Sequence, residues 1–99
     1  MIDPKDALQK LLASQARGDL LVLFHRNPGL IDTMDGVARR IGRTGFSIEE
    51  DVRGLVHLGV LKMKKFGSSE VIFLDRAGDR ELLEAVANHL GTITGGRES

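Results

Sequence analysis

The chain contains no cysteine. Disulfides, thiolate metal sites and cysteine nucleophiles are therefore excluded. It also lacks a long apolar run: the longest, Leu20 to Phe24, is far too short to span a bilayer. The first ten residues mix Asp3, Lys5, Asp6 and Lys10 with few apolar side chains, so no signal peptide is expected. Internal repeats and linkers are absent. No Gly-rich phosphate loop appears, because Gly91, Gly95 and Gly96 have no lysine and helix behind them. His25, His57 and His89 are far apart, show no i, i+4 pairing and belong to no metal motif. Each is expected at the surface or at the edge of the core. These absences remove the usual catalytic constellations. The expectation is a non-enzyme without metal or cofactor, soluble and cytoplasmic.

What is present suits one small globular domain. There are 99 residues, 41% of them hydrophobic. Residues 1–91 are expected to form the domain and residues 92–99 a flexible tail. The core of so short a chain is modest, so a partner subunit would help it. The formal net charge is zero, which taken alone argues against a strong nucleic-acid binder. Its distribution is uneven: residues 39–65 hold seven bases against three acids, whereas residues 66–99 hold three against six.

Local signals divide the chain into elements. Asp3-Pro4 opens a first helix, with Leu8, Leu11, Leu12 and Gln15 on one stripe and Gly18 as its stop. Asp19 then caps a short apolar helix holding Leu20, Leu21, Leu23 and Phe24, ended by Asn27-Pro28-Gly29. Leu30 to Asp32 is a short extended segment. Thr33 caps a third helix with Val37, Ala38 and Ile41 inward. After the turn Gly42 to Gly45, Ser47 and Glu50 form a capping box for a fourth helix, whose buried stripe is Ile48, Val52, Leu55 and Val56. Gly59 stops it. Val60 to Lys65 is a strand, Gly67-Ser68-Ser69 a hairpin tip, and Val71 to Leu74 a returning strand that does not alternate and so needs cover on both faces. Asp79 caps a last helix. The expected core is Leu20, Leu23, Phe24, Val37, Ile41, Ile48, Val52, Leu55, Leu61 and Phe73. Leu8, Leu11 and Leu12 on the first helix, with Leu82, Leu83, Val86 and Leu90 on the last, are expected to form a homodimer interface.

From Thr33 onward the pattern resembles the winged helix-turn-helix superfamily of MarR-like and ArsR-like transcription regulators. The matching residues are Thr33-Met34-Asp35-Gly36-Val37-Ala38-Arg39-Arg40-Ile41-Gly42 and the stretch Ser47 to Leu61, closing on Leu55-Val56-His57-Leu58-Gly59-Val60-Leu61. The resemblance implies an α+β, mostly helical fold: a three-helix core, a two-stranded wing and flanking N- and C-terminal helices. It also implies a double-stranded DNA partner. The second helix of the motif would enter the major groove by its first residues, here Gly45, Ser47, Glu49, Glu50 and Arg53. Arg39, Arg40 and Arg43 would meet the backbone, and Thr44 is also expected among the DNA-binding residues. Lys62, Lys64 and Lys65 would lie along the neighbouring groove, and Ser68 and Ser69 could donate to phosphate. The chain departs from the pattern at Glu49, Glu50 and Asp51, three carboxylates where phosphate or base edges should be met. They stabilise the helix dipole on one reading and accept from cytosine on another. Thiolate metal sensing of the ArsR kind is ruled out. A winged helix that docks on proteins instead of DNA is the competing reading.

Overall fold

A computed structural model describes the chain from Asp3 to Thr94. The first helix, α1 (Pro4–Leu11), opens on Asp3, whose carboxylate accepts from the Lys5 N–H at 3.3 Å. It stops at Leu11, well short of Gly18. Ser14 then caps α2 (Gln15–Arg26) by accepting from the Arg17 N–H at 3.1 Å. Gly18 therefore sits inside α2 and Asp19 caps nothing. The serine cap satisfies orphan N–H groups, and that outweighs the ~1 kcal/mol cost of an interior glycine. The helix ends before Pro28, as the sequence requires.

Strand β1 (Ile31–Thr33) leads into α3 (Met34–Arg40), with the Thr33 hydroxyl accepting from the Gly36 N–H at 3.1 Å. Helix α3 closes in a Schellman motif. Gly42 takes φ +71°, its N–H donates to Arg39 O at 3.2 Å, and the Arg43 N–H donates to Ala38 O at 2.9 Å. That tight exit makes Thr44 the cap of α4 (Gly45–His57). Thr44 and Ser47 bond reciprocally, so the expected Ser47–Glu50 box does not form and Glu50 is left to solvent. A second Schellman motif ends α4, with Gly59 at φ +87° and the Val60 N–H on Leu55 O at 3.0 Å.

Strands β2 (Leu61–Phe66) and β3 (Ser69–Leu74) form the hairpin, and β1 adds to its far side in an antiparallel sheet of order β1-β3-β2. Phe66 pairs with Ser69, so the tip is the two residues Gly67-Ser68. Gly67 supplies φ +62°, the positive value such short hairpin turns need. Burial on β3 alternates after all: Ile72 and Leu74 face inward, while Val71 and Phe73 are only half-buried. Phe73 lies opposite Ile31 and Lys62, outside the core it was expected to join.

Asp75, not Asp79, caps the last helix, α5 (Arg76–Thr94), accepting from the Gly78 N–H at 3.1 Å. Asp79 lies one turn further in and is buried against His25, whose Nε2 approaches its two oxygens at 3.0 and 2.9 Å. The helix continues past Gly91 to Thr94, three residues into the segment expected to be a tail. Residues 95–99 of that segment lie outside the described residues.

Together these elements make a mostly helical α+β domain, a winged helix-turn-helix in which β2 and β3 are the wing. Leu20, Phe24, Val37, Ile48, Val52, Leu55 and Leu61 are buried in one cluster with Ile72 and Val60, while Leu23 and Ile41 are half-buried against it. Helix α1 packs on α5 within the chain, so Leu11, Leu82 and Val86 are consumed by the domain's own core and Leu8 is half-buried against it. Of the residues expected at a dimer interface, Leu12, Leu83 and Leu90 remain exposed.

Candidate nucleic-acid interface

The helix-turn-helix is closely packed at two glycines. Gly36 and Gly45 are where α3 and its neighbours come close: a Cβ at Gly36 would meet the Asp32 carboxylate, and one at Gly45 would meet that of Asp35. Gly36 thus leaves room for the Asp32 carboxylate of β1 against α3, and Gly45 leaves room for the Asp35 carboxylate of α3 at the start of α4.

The basic residues expected to meet DNA divide into two groups. Four hold a carboxylate of the chain itself. Arg40 Nε reaches Asp32 at 3.1 Å, Arg43 reaches Asp19 at 3.1 Å, and Lys62 Nζ stands 3.7 Å from Asp75. Arg53 places Nε and one Nη on the same Glu49 oxygen, at 3.2 and 3.0 Å. Arg43 Nε is buried with no hydrogen-bond partner among the described residues. The other group is Arg39, Lys64 and Lys65, all exposed. Lys64 lies over the Phe66 ring, 5.8 Å from its centroid, and Lys65 pairs in register with Glu70.

The hydroxyls are less available than the sequence suggests. Thr44 Oγ1 accepts from the Ser47 N–H at 3.2 Å, and Ser47 Oγ donates to Thr44 O at 2.9 Å, so both serve the cap of α4. Ser68 in the hairpin tip and Ser69 at the start of β3 are exposed.

The three carboxylates of α4 do not act together. Asp51 turns back to α2, where Ser14 Oγ donates to it at 2.8 Å and Arg17 Nε at 3.2 Å. Arg17 also donates to Lys10 O at 2.7 Å, and its guanidinium fills the space that a Cβ on Gly54 would need. Glu49 is paired with Arg53. Glu50 alone of the three faces solvent without an ion pair among the described residues. Upstream, the Thr33 N–H donates to Asp32 at 2.7 Å. That bond first, then the bond and charge of Arg40 and the charge of Arg39, holds the Asp32 carboxyl below the usual carboxylate range against the opposing effect of burial.

Two residues at this surface escaped the sequence reading. Phe46, in the first turn of α4, is 91% exposed, and Phe66, beside the wing tip, is 59% exposed. Phe46 shares a shallow depression with Ser47, Glu49, Glu50 and Arg53. A signal for it existed: at 100° per residue it falls about 200° round the helix from Ile48, opposite the buried stripe.

Elsewhere, no group of three or more His, Cys, Asp or Glu side chains among the described residues could hold a metal ion. No helix among them is long and apolar enough to cross a membrane.

The arrangement defines the chain as a winged-helix domain, and comparison with known proteins agrees. No family model matches it, and no curated protein matches it in sequence. Among solved structures it is similar to a possible transcriptional regulator for arsenical resistance, at 21% identity over 92% of this chain and 86% of that one, with a TM-score of 0.69. It is also similar to a possible transcriptional regulator from Methanosarcina mazei Go1, at 12% identity over 96% and 88% of the two chains, with a TM-score of 0.56. At these identities the likeness establishes the fold.

Proposed function

We propose that the chain is a DNA-binding transcription regulator that acts as a homodimer in the cytoplasm. The observation that carries the reading is the disposal of the acids on α4. Asp51 is drawn to α2 and Glu49 is neutralised by Arg53, so Glu50 is the one carboxylate of the three left unpaired among the described residues, while Arg39 on α3 and Lys64 and Lys65 on the wing are exposed cations. Phosphate binding depends on such exposed cations. Both structural neighbours are possible transcriptional regulators, which supports the same reading. A link to arsenical resistance, as named for one of them, has no support in this chain, which has no cysteine thiolate to offer arsenic. No enzymatic activity is part of the proposal.

For the dimer, Leu83, Ala87 and Leu90 recur at i, i+4 and i+7 along the outer side of α5, all exposed. This face, with Leu12, replaces the wider set read from the sequence. Sedimentation equilibrium showing monomer alone at high micromolar concentration would refute it.

The DNA reading is tested by fluorescence anisotropy on a labelled duplex across a salt series. Arg39→Ala and Lys64→Ala should each reduce the slope of log K against log salt by ~0.9. Absence of salt-dependent binding at low ionic strength would overturn it. A second reading, a protein-docking module, is favoured by the four basic side chains already paired and by the exposure of Phe46. Such a module would pass through heparin unretained.

A further inference from the structure

Within the DNA-binding reading, on which this step rests, we infer that Phe46 is the principal base-reading residue and that it recognises the 5-methyl group of thymine.

A single exposed apolar side chain is ordinary. Its setting is what points to a ligand. Recognition helices of this fold meet base edges with their first residues, and in α4 most of the polar candidates there are already committed. Ser47 has spent its one proton on Thr44 O, and the Thr44 hydroxyl accepts from the Ser47 N–H. Arg53 holds Glu49 with two of its donors, and Asp51 is turned away to Ser14 and Arg17. Phe46 and Glu50 are the two exposed side chains of this stretch that make no bond inside the chain among the described residues. The Phe46 ring is 91% exposed and touches the core nowhere, since Ile48, Val52 and Leu55 supply the buried stripe of the helix.

An apolar ring has one apolar partner on the floor of the major groove, the thymine methyl. Glu50 stands one turn on at i+4, where a carboxylate can accept from the amino group of cytosine. Four residues advance about 6 Å along a helix, against ~3.4 Å per base pair, so the two side chains would read positions one or two base pairs apart. The expected subsite is therefore a thymine with a cytosine close by, read without an arginine–guanine contact. Phe46 contributes little to folding at this exposure, so its replacement leaves the domain intact.

The experiment begins with selection of duplexes from a random library by the 99-residue chain. The selected duplex is then made with deoxyuridine in place of thymidine at each position in turn, which removes the methyl and keeps every hydrogen-bonding group. Anisotropy is measured at fixed salt for wild type, Phe46→Ala and Phe46→Leu, with thermal melting as the check on folding. At one or more positions uracil should weaken wild type about fourfold, the value of one buried methyl. Phe46→Ala should bind both duplexes equally, and Phe46→Leu should keep part of the preference. Salt-dependent binding that is indifferent to uracil everywhere, or a preference that survives in Phe46→Ala, overturns the assignment and leaves the DNA reading standing. No enrichment and no salt-dependent binding overturns both, and Phe46 then belongs to a protein-contact surface.

Discussion

Replacing Arg17 by Ala removes a side chain that ties three helices together. Arg17 stands on α2, donates to Lys10 O at the end of α1, and pairs with Asp51 on α4. The magnitude follows from burial. An exposed ion pair contributes ~0–1 kcal/mol, and breaking a fully buried one costs ~3–5 kcal/mol. The Arg17 and Asp51 side chains are 15% and 19% exposed, which sets the pair between those limits. Asp51 would still keep the Ser14 hydroxyl at 2.8 Å, which moderates the loss. About 2 kcal/mol is expected, or roughly 10 °C in Tm for a domain of this size. A double-mutant cycle with Asp51→Ala, read by urea denaturation, should give a coupling of about 1 kcal/mol that persists in 0.5 M salt, because covered pairs are poorly screened. Affinity for DNA should also fall in Arg17→Ala, since Asp51 loses its cation beside the α4 face. Arg17→Ala with Asp51→Asn should restore it. A coupling below ~0.3 kcal/mol, or one abolished by salt, would show that the pair is a surface decoration and that α4 is docked by apolar packing alone.

Leu55→Ala should cost about 2–5 kcal/mol, because Leu55 is fully buried in the cluster that joins α4 to the sheet; an unchanged denaturation midpoint would contradict that. Asp32 makes stability pH-dependent on the acid side. Its folded-state pKa lies below the unfolded value, so its contribution is present above the ordinary carboxylate range near ~3.9 and is lost as pH falls through the lower folded value. Asp32→Asn should flatten the stability profile in that window and leave a lower plateau at neutral pH, as measured by thermal melts from pH 2 to 7. Gly36→Ala should destabilise the domain in chemical denaturation despite the ~1 kcal/mol gain in helix propensity, because the new Cβ displaces the Asp32 carboxylate from Thr33 and Arg40; a stabilised variant would refute this.

The helix-turn-helix was legible because its boundaries are set by local chemistry. Thr33 caps by its own hydroxyl, and Gly42 and Gly59 end their helices in a conformation that other residues avoid. The signals that misled were those with two local solutions. Thr44–Ser47 and Ser47–Glu50 both have capping-box spacing, and the early exit of α3 at Gly42 selects the first. Ser14 and Gly18 competed for the break between α1 and α2, and the hydroxyl outweighed the glycine. The phase of β3 is decided by partners: pairing of Ile72 with Met63 and of Phe73 with Lys62 sends Phe73 to the outer face. At the candidate site the missing information was long-range. Asp51 meets Arg17 across 34 residues and Asp19 meets Arg43 across 24, so no local pattern reveals which charges are spent.

That sorting of charge alters what zero net charge implies. Neutrality counts against a DNA binder only if every charge is equally available to phosphate. Arg53 and Glu49 make the point testable. Both are exposed, so their pairing contributes ~0–1 kcal/mol, yet it cancels one negative charge on the helix that would face the groove. Arg53→Ala should therefore weaken binding to all sequences by uncovering Glu49 more than by losing a phosphate contact. Glu49→Ala should strengthen it by freeing Arg53, and the double variant should return close to wild type in both affinity and salt slope. Arg39 forms no ion pair among the described residues, so Arg39→Ala should lower the slope by ~0.9, with no second substitution on α4 to offset it. If instead Arg53→Ala lowers the slope as far as Arg39→Ala does, and Glu49→Ala leaves affinity unchanged, then Arg53 contacts phosphate directly and the pair seen in the free protein is exchanged on binding.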